Sequence, residues 1–121
     1  METAVKVLSK IKKIVKEDRR FNEEAYLFVL SALDFAMGKM KVRRHLTGPE
    51  LLNSIREYGI SQYGPMTRTV LEFWGINNTE DFGVIVFQMI DEGILRKNEK
   101  DSLEDFKNVY DFKEAFKGTF N

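Results

Sequence analysis

The run Asn22-Glu23-Glu24-Ala25-Tyr26-Leu27-Phe28-Val29-Leu30-Ser31-Ala32-Leu33-Asp34-Phe35-Ala36-Met37-Gly38 decides how this chain folds. Between 25 and 36 apolar side chains occupy nearly every side of a 3.6-residue period, so a helix here has no wet face to spare. Other elements must wrap it, which makes it the central helix of a helical domain. Asn22 offers an N-cap oxygen, and Glu23 and Glu24 place negative charge at the positive end of the helix dipole. Gly38 ends the pattern, and a basic stretch, 39–45, follows.

Upstream, residues 3–16 set Ala4, Val7, Leu8, Ile11, Ile14 and Val15 at three- and four-residue steps, with Lys6, Lys10, Lys12, Lys13 and Lys16 mostly between them. This is an amphipathic helix with a basic outer side. Downstream, Thr47 and Glu50 have capping-box spacing and Pro49 fits a first turn, so a third helix opens there with Leu51, Leu52, Ile55 and Tyr58 inward. Gly64-Pro65 closes it. A fourth helix carries Met66, Val70, Leu71, Phe73 and Trp74 to Gly75, and Asn77-Asn78-Thr79 caps a fifth that runs through Phe82, Ile85, Val86, Met89 and Ile90 to Gly93. Gly75-Ile76 and Gly93-Ile94 read as left-handed helix stops with apolar followers. Gly83, inside the fifth helix, implies a close backbone approach. Trp74 and Phe82 fall in register with core positions.

After Gly93 the period changes. Residues 94–97 and 109–112 read as two short strands around an acid-rich excursion in which Ser102 and Asp105 are spaced to cap a single turn. The expected fold is therefore mainly α: about five helices in one domain over residues 1–121, with a short C-terminal β-hairpin. That order is winged-helix-like by topology. The helix at 79–92 would take the recognition position, the hairpin would be the wing, and 42–47 would supply a third strand. The match is an analogy and leaves one helix over.

The motifs His45-Leu46-Thr47-Gly48-Pro49-Glu50-Leu51-Leu52, Phe73-Trp74-Gly75-Ile76, Thr79-Glu80-Asp81-Phe82-Gly83 and Tyr110-Asp111-Phe112 together resemble an uncharacterised bacterial group, the Minf-type conserved hypothetical proteins. The resemblance spans roughly residues 19–116 and leaves the basic helix of residues 1–18 outside. It implies a bacterial, cytoplasmic protein and brings no catalytic residue, cofactor or substrate with it.

Several chemistries are excluded by composition. The chain has no cysteine, so disulfides and thiolate metal or redox sites are ruled out, and with one histidine, His45, so are multi-histidine sites. No apolar run reaches the roughly 20 residues of a membrane-spanning helix, and the lysine-rich N-terminus lacks a signal-peptide core; cytoplasm is the expected compartment. The carboxylates Glu99, Asp101, Glu104 and Asp105 miss the calcium-loop pattern and read as a solvated loop. His45 has no serine, cysteine or second histidine to work with, so a hydrolase or isomerase built on it, with Glu50 or Asp81 as helper, ranks third among functions. No catalytic, cofactor-binding or metal residues are assigned.

Net charge is zero but unevenly placed: residues 1–45 hold eleven Lys/Arg against six Asp/Glu, and 46–121 hold eight against thirteen. In a folded globule the two parts can complement one another. Lys12, Lys13, Lys16, Arg43, Arg44, Arg96 and Lys97, with Lys100, are the candidate contacts to nucleic-acid backbone or an acidic partner. The helix at 79–92 has four carboxylates and no Lys or Arg, which argues against base reading in a phosphate-lined groove. The leading expectation is a non-enzymatic protein interaction or self-association module. A domain that binds nucleic-acid backbone weakly and without sequence preference comes second.

Overall fold

A computed structural model describes residues 3–42, 44–98 and 101–117. Its main elements are α1 (Ala4–Glu17), α2 (Glu23–Gly38), α3 (Gly48–Tyr63), α4 (Thr67–Phe73), α5 (Thr79–Asp91) and the single-turn α6 (Phe112–Ala115). Two 3-10 turns, Gly64–Met66 and Leu103–Phe106, fill in before α4 and α6.

Helix α2 packs against α1, α3 and α5, as its all-round apolarity demands. Only Glu24, Ser31, Asp34 and Gly38 of the helix are exposed. Ile11 and Ile14 are the buried residues of α1, and Leu51, Leu52 and Ile55 are the inward stripe of α3. They join Phe21, Tyr26, Val29, Leu71, Trp74, Phe82, Ile85 and Met89 in one hydrophobic cluster.

The expected caps are present. Asn22 accepts from the Glu24 N–H, Thr47 and Glu50 form a reciprocal capping box, and Asn78 accepts from the Asp81 N–H. Gly75 and Gly93 adopt φ of 95° and 76°. At each, the next residue's N–H reaches back to close the helix: Ile76 to the Leu71 carbonyl at 2.9 Å and Ile94 to the Met89 carbonyl at 2.8 Å. Trp74 is buried between Phe28 and Tyr63, with ring centroids 5.6 and 5.9 Å away. Phe73, in contrast, is 80% exposed, and Met66, seven residues earlier, is 54% exposed. The fourth helix is thus less inward than its composition implies.

The C-terminal β-hairpin is not formed: there is no strand among the described residues. Along 94–97, the N–H groups of Ile94 and Leu95 both turn back to the Met89 carbonyl, at 2.8 and 3.3 Å. Donors used to close α5 cannot also enter a ladder. Along 109–112, the Val109 N–H donates to Thr79 Oγ1 at 3.2 Å, and Asp111 caps the Glu114 N–H, so Phe112 begins a helical turn. The expected Ser102–Asp105 turn does form, as a reciprocally capped 3-10 turn.

With the wing absent, the winged-helix analogy fails, and α5 removes its other support. Between Thr79 and Ile90 no residue is exposed. A helix with no freely exposed side chain over this span presents no reading face to a groove. Residues 42–47 likewise form no strand where described; Arg43 lies outside the described residues.

Candidate functional site

Where α2, α3 and α5 meet the loops before α3 and after α5, they leave a cleft of about 200 Å³, partly open to solvent. Its walls are Leu33 and Met37 from α2, Leu51 from α3, and Val86, Phe87 and Ile90 from α5, with Leu46, Leu95 and Phe106 from the connecting segments. The 103–106 turn can seat here because two glycines make room. A β-carbon on Gly83 would stand 2.7 Å from the Phe106 β-carbon, and one on Gly48 would stand 3.0 Å from that of Asp105.

His45, Thr47, Arg96 and Asp101 are the polar side chains of the lining. His45 Nε2 lies 2.8 Å from Asp101 Oδ2, and that same oxygen accepts the Asn98 N–H at 2.8 Å. Thr47 Oγ1 accepts the Glu50 N–H. Three of the four are therefore tied into the scaffold, and Arg96 makes no ion pair among the described residues. Beside the cleft Arg44 holds Glu50 through two hydrogen bonds, of 2.9 and 2.6 Å. This guanidinium, together with the Thr47 N–H, lowers the Glu50 carboxyl to about 2.

Sequence reasoning offered Glu50 or Asp81 as helpers for His45, and the structure supplies Asp101 instead. Asp81 is occupied at the start of α5, where its carboxylate accepts the Asn77 N–H at 2.8 Å. Asp101 was visible only as part of an acidic loop, because 56 residues separate it from His45 and no local pattern links them. Of the other acids in that loop, Glu104 pairs with Lys107 and Asp105 caps Ser102, while Glu99 lies outside the described residues. Among the described residues no group of three potential ligands is placed to hold a metal ion.

The candidate basic contacts do not form one free surface. Lys12 pairs with Glu23 at 3.1 Å and Lys13 with Glu92 at 3.2 Å, so two of the α1 lysines are turned onto the protein's own acids. Arg44 is held by Glu50. Lys16, Arg96 and Lys97 are exposed and make no ion pair among the described residues. Arg96 lines the cleft, whereas no residue of α1 does; Arg43 and Lys100 lie outside the described residues. No described helix is long and apolar enough to cross a membrane.

Comparison of the chain with protein-family models, with curated proteins and with solved structures returns no match.

Proposed function

We propose that this chain is a non-enzymatic protein interaction module, and that the cleft between α2, α3 and α5 is where it holds its partner. One observation carries the reading: the cleft has apolar walls, while His45, Asp101 and Thr47 at its edge are already bonded to the scaffold. A catalytic site needs a nucleophile or base aimed at a reacting atom, with a third group orienting it. Here the histidine–aspartate pair fastens the loop after α5 to the entrance of α3, and no serine or cysteine lines the cleft beside it. Apolar walls with few polar groups are suited to burying an apolar anchor from a partner.

The test compares two forms of the protein as baits in extract of the source organism, with and without nuclease. Leu95→Trp adds a large side chain at the half-buried edge of the cleft and fills it. A protein held by the wild-type chain after nuclease treatment, and lost from the folded Leu95→Trp variant, is the expected result. Material released by nuclease, or held equally by both baits, would overturn the reading.

A further inference from the structure

The cleft's dimensions and the charge of Arg96, unpaired among the described residues, say more about what it holds. A cavity of roughly 150 Å³ accommodates a benzene ring, so the 200 Å³ here suits one aromatic or leucyl side chain. It falls short of the roughly 300–1,000 Å³ usual for free small-molecule sites. At its edge Asp101 Oδ2 lies 2.8 Å from His45 Nε2 and accepts the Asn98 N–H, whereas Arg96 has no anionic partner among the described residues. A guanidinium beside apolar walls is matched by a carboxylate, which it can grip through two parallel hydrogen bonds. In a polypeptide, an apolar side chain and a carboxylate share one residue only at the C-terminus.

We infer that the cleft receives the C-terminal residue of a protein partner. A phenylalanyl or leucyl side chain fills the space between Leu33, Leu51, Phe87 and Leu95, and the terminal α-carboxylate meets Arg96. Capture of a terminal carboxylate is a recurring mode of peptide recognition. The inference rests on the reading of the cleft as the module's binding site.

Three probes separate the outcomes, each titrated into the full chain and followed by amide NMR: a short peptide ending in phenylalanine as the free acid, the same peptide as the C-terminal amide, and 3-phenylpropionate. The free-acid peptide should shift the cleft resonances and bind about tenfold or more tightly than the amide, the usual worth of a charge-assisted hydrogen bond. Arg96→Gln, at an exposed position, should erase that difference, and Leu95→Trp should abolish binding of both peptides. Equal binding of acid and amide at the cleft would overturn the carboxylate assignment and leave the cleft reading standing. Binding of 3-phenylpropionate as tight as that of the free-acid peptide would overturn the partner C-terminus in favour of a free small acid. Failure of all three probes to shift cleft resonances, or binding indifferent to Leu95→Trp, would overturn both.

Discussion

Gly75 and Gly93 close α4 and α5 with the same left-handed turn in different surroundings. A β-carbon at Gly75 would meet the Arg20 carbonyl oxygen at 2.4 Å, whereas one at Gly93 finds only the flexible Lys10 Nζ at 3.6 Å. Alanine at either position adopts an unfavourable angle and should cost more than about 1 kcal/mol. At Gly75 the collision with backbone adds to this, so Gly75→Ala should be clearly the worse of the two in urea denaturation. Equal midpoints would show that the loop at 18–22 yields without cost. Trp74→Ala should cost about 3–5 kcal/mol, as for other buried aromatics; an unchanged midpoint would place the indole outside the core. Glu50 provides a pH test. Its carboxyl lies at about 2 in the folded chain, against an ordinary 4.5. A depressed carboxyl stabilises the fold fully above its unfolded value, and the stabilisation is lost as pH falls toward the folded one. Glu50→Gln should therefore lower the Tm above pH 4.5 and flatten the acid limb between 4.5 and 2. An acid limb parallel to that of the wild type would remove the Arg44–Glu50 pair from the account. The stops and caps behind these predictions were legible because each is written within four or five consecutive residues.

The 103–106 turn shows what such local reading misses. Ser102 and Asp105 announced the turn, but residues 109–112, with Val109, Tyr110 and Phe112, have the β-branched and aromatic content of a strand. Asp111 and Glu114 have cap spacing as well, and that signal decides the outcome because Phe112 and Phe116 then share one inward side, with ring centroids 5.2 Å apart. Tyr110 completes the docking through its hydroxyl, which donates to the Leu52 carbonyl at 2.7 Å, and burial pushes this phenol up from its ordinary range. Arg56 Nε holds the Ala115 carbonyl at 3.0 Å. Gly83 reads as a point of close backbone approach; what meets it is side chain, of Phe106 and Leu103, about twenty residues on, which the local sequence could not name. Gly83→Ala is the measure of that contact. By propensity alone, alanine inside α5 would gain about 1 kcal/mol. With Phe106 and Leu103 carbons 2.7–2.9 Å from the new methyl, the turn must move off the helix. The variant should lose stability and become cleavable by protease within 101–117; a gain in stability would show that the turn is not seated on α5.

Charge is complemented partly within each half of the chain, as in Lys12–Glu23, Arg68–Glu72 and Lys107–Glu104, and partly between the halves. The excess of Lys and Arg before residue 46 meets later acids in Lys13–Glu92, Lys39–Glu57 and Arg44–Glu50. These pairs are partly exposed and screened by solvent, so they are a minor part of what holds the fold together. Their larger consequence is for binding, because a lysine already beside a carboxylate has less counterion to release on meeting phosphate. The uneven charge was plain in the sequence, but which residues would face each other was not, since that depends on how α1 crosses α2 and the end of α5. Any attraction to nucleic acid should then be weak and sequence-independent. It should rest more on Lys16, Arg96 and Lys97 than on Lys12 and Lys13. Fluorescence anisotropy with several unrelated duplexes at low and physiological salt tests this directly. Affinity should be similar for every duplex and collapse at the higher salt; replacing Lys16, Arg96 and Lys97 together with glutamine should weaken the low-salt binding more than replacing Lys12 and Lys13. Tight binding of one duplex at physiological salt would require a reading surface that α5, with no exposed residue from Thr79 to Ile90, does not present, and would overturn the interaction-module reading in favour of a nucleic-acid one.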